Sequence, residues 1–251
     1  MTPDLTMRYG PDPDHLIDVR LPADPTDRPL VIFIHGGFWR VAYDRAHVGP
    51  LAADLAGRGW PTATVEYRRV GQAGGGWPGT LDDIAAAVEA LPALVAEAGV
   101  PVDASAPILA GHSAGGHLAL WAASRNPCGG VLALAPVCDL RTAYTRRLGN
   151  DAVAALLGGG PDDVPDRFLA ADPLARLPLG VAMMLVHGVE DDVVPIDLSR
   201  GFVEAARGAG DSAELVALPG VEHFGVIDPE SAAWPSVLRA LAELAPGQQK
   251  G

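Results

Sequence analysis

Lysine is almost missing from this chain. Lys250 is the only one among 251 residues, and the formal charge at neutral pH is −13. Nucleic acid binds proteins through a basic footprint, so that class of partner is excluded on charge. Cysteine is nearly as scarce. Cys128 and Cys138 stand ten positions apart with no CxxC pattern and no ligand cluster beside them. That excludes a disulfide framework or a cysteine metal centre and leaves two small buried thiols as the expectation. No apolar run reaches the roughly 18 residues that span a bilayer, so no membrane partner is expected. Met1-Thr2-Pro3-Asp4 opens no basic and apolar leader, and the expectation is a soluble cytoplasmic protein.

Apolar residues make up 49% of the chain and charged residues 20%, a balance that favours a packed core over disorder. The length fits one large domain, residues 1–251, with no internal repeat and no linker.

The most informative stretch is Leu109-Ala110-Gly111-His112-Ser113-Ala114-Gly115-Gly116-His117-Leu118. An apolar strand, Ile108 to Ala110, runs into a glycine-rich corner, and a helix starts at Ala114. Gly111-x-Ser113-x-Gly115 fits a nucleophile elbow, in which a serine sits on a sharp strand-to-helix turn. The serine backbone there is strained, so the residues two positions away on either side must lack bulk. With 30 glycines in the chain, the pattern arises by chance about 0.1 times. The flanking strand and helix reduce that chance further.

Strand and helix signals alternate along the rest of the chain. His15–Leu21 alternates apolar and polar residues, while Leu30–Ile34 is continuously apolar, as a strand buried on both faces is. A helix is predicted over Ala46–Ala56, a strand over Thr62–Tyr67, and a mobile glycine-rich loop over Gly71–Gly79. Thr80 opens a helix that runs to Ala98 and kinks near Pro92. Gly130–Ala135 and Val181–Val186 read as buried strands, Asp197–Arg207 as a helix, Ala213–Leu218 as a strand and Ser231–Leu244 as the last helix. This alternation predicts an α/β fold, a doubly wound, mostly parallel sheet flanked by helices. Residues 139–178 break the rhythm and read as a short cap over the carboxyl ends of the strands, where such sheets bind ligands.

A serine hydroxyl needs a hydrogen-bonded base that is itself oriented by an acid. Two loops after late strands supply both. His187-Gly188-Val189-Glu190-Asp191-Asp192 offers Asp191 or Asp192 as the acid, and Pro219-Gly220-Val221-Glu222-His223 offers His223 as the base. His187 reads as a loop-structuring ring, and His112 and His117 do not occupy the position expected of a base. His35-Gly36-Gly37-Phe38-Trp39 ends an early strand in a glycine turn whose N–H groups can face the site. Gly37 or Phe38, with Ala114, would then form an oxyanion hole. Phe38, Trp39, Trp77 and Tyr144 are candidate pocket walls.

The elbow, the Asp and His loops in the order Ser, Asp, His, and the His-Gly-Gly turn together resemble the α/β-hydrolase superfamily over residues 15–244. His187-Gly188-x-x-Asp191-x-x-Val194-Pro195 is similar to the common hydrolase loop in which that aspartate is the acid, which favours Asp191 over Asp192. His35-Gly36-Gly37-Phe38-Trp39 resembles the HGGxW signature of kynurenine formamidases (arylformamidases), which cleave the formyl amide of N-formylkynurenine. Related small carboxylesterases carry close variants. The resemblance implies a serine hydrolase acting on a small acyl amide or ester without metal or organic cofactor, as a monomer or homodimer. A general carboxylesterase is the alternative, and a non-catalytic binding protein on the same scaffold is a further one.

Overall fold

The computed structural model describes residues 2–24 and 26–245, so Lys250 lies outside the described residues. Eight strands form one sheet: β1 (Leu5–Arg8), β2 (Leu16–Arg20), β3 (Pro29–Ile34), β4 (Thr62–Val65), β5 (Asp103–His112), β6 (Gly130–Leu134), β7 (Met183–Gly188) and β8 (Ala213–Leu218). Their spatial order is β1-β2-β4-β3-β5-β6-β7-β8. The first two pair antiparallel at one edge, and every pairing from β4 to β8 is parallel. The mostly parallel, helix-flanked sheet read from the sequence is therefore the observed one.

Eight helices accompany the sheet: α1 (Gly49–Gly57), α2 (Gly79–Glu97), α3 (Ala114–Ala123), α4 (Leu140–Thr145), α5 (Leu148–Leu157), α6 (Pro165–Ala171), α7 (Asp197–Gly208) and α8 (Trp234–Glu243). Side chains of a strand point alternately to its two faces, and β3 shows the consequence. Leu30, Ile32 and Ile34 pack in one core with α2, α3 and α7, whereas Val31 and Phe33 pack in a second core with α1 and α8. Covering both faces is what makes Leu30–Ile34 apolar without interruption. No helix among the described residues is long and apolar enough to cross a membrane.

Two local differences from the sequence reading have physical causes. The predicted helix over 46–56 divides into a 3₁₀ turn, Arg45–Val48, and α1, because Pro50 lacks an N–H and belongs in a first turn. β1 was not foreseen. Its four residues are mostly exposed, so no apolar alternation marks them. Helix α2 runs through Pro92 as a single element. Residues 139–178 form α4, α5, α6 and a 3₁₀ turn, inserted between β6 and β7 as expected.

The winding direction changes at the centre. From β3 the chain crosses to β4 on one side, then returns to β5 on the other. The crevice at the carboxyl ends of β3 and β5 is thus the topological switch point, where open parallel sheets take ligands. Helix α3 leaves β5 there and approaches β3 closely enough that a Cβ on Gly115 would lie 2.0 Å from Ile34 O and 2.5 Å from His35 O. Ile34 O belongs to β3 and His35 O is held by the Tyr67 hydroxyl at 2.9 Å, so neither carbonyl retreats freely. Gly115→Ala is therefore expected to destabilise the fold by at least about 1–3 kcal/mol, read as a lowered denaturant midpoint. An unchanged midpoint would contradict this packing.

Candidate active site

Ser113 follows β5 directly and caps α3 with φ 56° and ψ −119°, a backbone conformation that a residue with a side chain rarely adopts. Ser113 N–H donates to Leu134 O at 2.8 Å, which holds the corner against β6. The glycines around it are dictated by space. A Cβ on Gly111 would meet Gly115 O at 2.2 Å, and one on Gly116 would meet the Pro136 side chain at 2.8 Å. The elbow spacing is therefore a steric requirement of the turn. Ala114 begins the helix, and its N–H has no intrahelical partner by position.

The His-Gly-Gly turn after β3 carries three consecutive residues with positive φ: Gly37 (105°), Phe38 (49°) and Trp39 (57°). Two of them are not glycine, so neighbouring contacts must hold the loop. Trp39 is fully buried, and its indole N–H donates to His117 Nδ1 at 3.2 Å. The Phe38 ring lies against Gly149 of the insert, where a Cβ would approach it to 2.6 Å. Among the described residues, the N–H groups of Gly37 and Phe38 donate to no protein acceptor. They remain available to a ligand, as the oxyanion-hole expectation requires.

Beneath this turn lies a carboxylate that sequence reasoning missed. Glu66, just past β4, accepts from His35 Nε2 at 2.9 Å and from the backbone N–H groups of Tyr67 and Arg45. Burial is the largest influence on Glu66 and opposes its ionisation, yet His35 and the two amides outweigh it and lower its pKa. His35 Nδ1 lies 2.9 Å from Gly36 O, and Tyr67 Oη donates to His35 O at 2.9 Å. A trans peptide directs its N–H opposite to its C=O, so fixing Gly36 O also fixes the direction of Gly37 N–H. The available signal was a carboxylate at the carboxyl end of a buried strand beside the switch point.

Asp191 follows β7 in a tight loop and is 7% exposed, whereas Asp192 is exposed. Asp191 Oδ2 accepts from His223 Nδ1 at 2.6 Å and from His187 Nε2 at 3.1 Å. Oδ1 accepts from the N–H groups of Val193 at 2.9 Å and Val194 at 2.8 Å. Burial works most strongly against the charge, but these hydrogen bonds overcome it and hold the carboxyl well below the usual range. His187, read as a ring braced on backbone, does bond Val194 O at 2.8 Å and adds the contact to Asp191.

His223 and Ser113 line one cavity of about 550 Å³ together with Gly37, Phe38, Tyr43, His47, His112, Val193, Phe224 and Ile227. Its walls are largely apolar, and Tyr43 and Phe224 form an exposed rim. Tyr43, His47, Val193, Phe224 and Ile227 were not foreseen, because cavity walls depend on which loops converge and carry no spacing pattern. His112 donates from Nε2 to His223 O at 3.0 Å. Burial, then the proximity of His223, keeps its pKa well below the ordinary imidazole value.

Of the four pocket candidates Phe38 lines the cavity, and the other three stand elsewhere. Trp39 is in the core, drawn inward by its bond to His117. Trp77 packs against the same core beside Leu156, to whose carbonyl its backbone N–H donates. Tyr144 packs edge-on against Phe168 within the insert. None of residues 139–178 lines the cavity; the insert touches the site through Gly149 on Phe38. Of the two thiols, Cys138 is buried and Cys128 half-buried.

His117 ties these parts together. Its Nδ1 accepts the Trp39 N–H as a hydrogen bond, and its Nε2 donates to Ala171 O at 3.0 Å, joining the turn, α3 and the insert. Burial pushes its pKa down to about 4. The unfolded chain takes up this proton below about pH 6.5, so stability drains as pH falls from there towards 4. His117→Gln is expected to reduce that loss by roughly 3 kcal/mol at pH 4 relative to wild type. Denaturant titrations of both proteins from pH 7 to 4 measure the difference, and parallel curves would contradict it.

The BD-FAE family model matches residues 17–205, a span that holds the His-Gly-Gly turn, the elbow and Asp191 and ends before His223. Esterase LipC of Mycobacterium tuberculosis is 30% identical, across 88% of this chain and 59% of its own length. A probable isoprenylcysteine alpha-carbonyl methylesterase, ICME, of Oryza sativa subsp. japonica is 27% identical, across 87% of this chain and 57% of its own. The chain thus spans little more than half the length of these curated relatives. A truncated carbohydrate esterase from gut microbiota superposes with a TM-score of 0.82 at 21% identity, covering 97% of both chains, which shows the fold. With a family model matched along most of its length, this chain belongs to the BD-FAE family.

Proposed function

We propose that this protein is a serine carboxylesterase acting on small, largely apolar esters. The observation that carries the reading is the meeting of Ser113 and His223 on one cavity, with Asp191 holding His223 Nδ1 at 2.6 Å from behind. Ser113 Oγ attacks the ester carbonyl carbon while His223 Nε2 takes its proton. Asp191 keeps the His223 proton on Nδ1 and stabilises the imidazolium without accepting that proton. The oxyanion forms against the N–H groups of Ala114 and of Gly37 or Phe38, each such donor being worth about 3 kcal/mol in the transition state. His223 then protonates the departing alkoxide, leaving an acyl-Ser113 ester. Water enters, gives a proton to His223 and attacks the same carbonyl. Collapse of the second intermediate returns the proton to Ser113 and releases the acid. The cycle consumes no cofactor.

The esterase names of the relatives favour an ester over the formyl amide that the HGGxW resemblance brings forward. Apolar side chains make up most of the cavity wall, which suits an uncharged acyl group held by contact area. Purified protein is expected to turn over p-nitrophenyl acetate and butyrate with a kcat/KM well above that for N-formyl-L-kynurenine. The reverse ranking would make the arylformamidase reading correct and leave the same residues in the same roles.

The acid assignment has its own test. Asp191→Asn is expected to lower kcat by about 10³–10⁴-fold, because the amide forces the wrong His223 tautomer. Asp192→Asn, on an exposed side chain, is expected to stay near wild type. Steady-state rates on p-nitrophenyl butyrate decide it, and a larger loss in Asp192→Asn would exchange the two.

A further inference from the structure

The loop that delivers Asp191 brings a second imidazole to the same oxygen. His187, fully buried near the end of β7, sets Nε2 3.1 Å from Asp191 Oδ2, while His223 Nδ1 stands 2.6 Å from that atom. Both neighbours of His187 Nε2, Asp191 Oδ2 and Val194 O, are acceptors, so Nε2 carries the proton. Its Nδ1 is then the acceptor for the hydroxyl of Ser199, 2.8 Å away and also fully buried. Behind Ser199 lies the Cys138 thiol, whose proton burial retains. The donors of this chain therefore run in one direction, from the interior through Ser199 and His187 to Asp191. The serine mechanism uses Asp191 and His223 and assigns nothing to the other side.

We propose that His187 is a positioning residue that tunes the base: by sharing Asp191 Oδ2 with His223, it divides the pull of one carboxylate between two imidazoles. The inference rests on the reading of His223 as the base. Each N–H donated to a carboxylate withdraws electron density from it, and the serine hydroxyl on Nδ1 makes the opposite N–H of His187 a stronger donor. Oδ1 accepts from the Val193 and Val194 amides, so Asp191 keeps these two donors when the His187 ring is removed. Its undivided charge then falls on His223 and favours the imidazolium. The other groups facing this pair do not compensate. His112, whose ring centre is 4.5 Å from that of His223, is kept neutral by burial and gives its N–H to backbone. Cys138 keeps its proton, which burial and then the charges of Asp172 and Asp139 favour. Glu222, on the His223 loop, accepts from Phe224 N–H.

The test is the pH dependence of kcat/KM on p-nitrophenyl acetate for wild type, His187→Leu and His187→Gln. The acid limb is expected to move up by roughly half a pH unit in His187→Leu and to return towards wild type in His187→Gln, which restores an N–H donor. A purely structural role lowers the rate and leaves the limb in place. A limb that stays, or moves down, in His187→Leu would overturn the proposal. Should the leucine variant fail to fold, unmodified protein labelled with ¹⁵N-histidine answers the same question. The His187 Nε2–H resonance is expected to shift with an inflection at the pH where His223 titrates, and a resonance indifferent to that event would overturn the proposal. This arm needs no turnover. Failure of His223 as the base would instead appear as a rate profile that ignores the His223 inflection, a separate outcome.

Discussion

Close approach between α3 and the carboxyl end of β3 is the constraint on which the rest of the site depends. Ser113 occupies a corner with φ 56°, and α3 turns back across the sheet so tightly that Gly115 leaves no room for a methyl group beside Ile34 O. This corner aims the serine side chain into the crevice and leaves Ala114 N–H unpaired at its side. Its strain is stored in a buried, parallel-stranded framework that cannot relax locally. The same proximity brings the His-Gly-Gly turn alongside Ser113, because β3 and β5 are neighbours in the sheet.

Around that corner, two buried carboxylates hold the movable parts by the same physical means. Glu66 accepts from His35 and fixes the turn that carries Gly37 N–H. Asp191 accepts from His223 and fixes a ring that lines the same cavity as Ser113. In both cases burial opposes the charge, and several N–H donors converge to keep it ionised. Removing any one donor leaves a buried anion short of a partner, so each network behaves as a unit. His117 adds a neutral clamp, joining Trp39 of the turn to the insert through Ala171.

Much of this could be read from residues in order. Strands buried on both faces announce themselves as unbroken apolar runs, and steric demands made by neighbours in the chain, such as Gly111 and Gly115 around Ser113, leave a fixed spacing. The loops that carry Asp191 and His223 stood out because parallel sheets present their chemistry after late strands, and the resemblance of the His187–Pro195 loop to the hydrolase pattern singled out Asp191 from Asp192. The remainder depends on which loops meet. Trp39, an aromatic beside the nucleophile in space, was expected in the pocket, but two positive-φ residues rotate it into the core. The cavity wall comes from Tyr43, Val193, Phe224 and Ile227, residues of three different loops with no pattern in common. Glu66 was passed over because a lone carboxylate after a strand is ordinary until its partner, His35, is known to lie beneath the turn. Edge strand β1 was missed because exposed strands carry no apolar alternation.

Treatment of the folded protein with a fluorophosphonate, followed by intact mass and peptide mapping, tests the proposed nucleophile, Ser113, most directly. One phosphonyl adduct per chain is expected, located on Ser113, with ester hydrolysis lost in step with labelling and no adduct in Ser113→Ala. An adduct on another residue, or undiminished hydrolysis by unlabelled Ser113→Ala protein, would contradict that assignment.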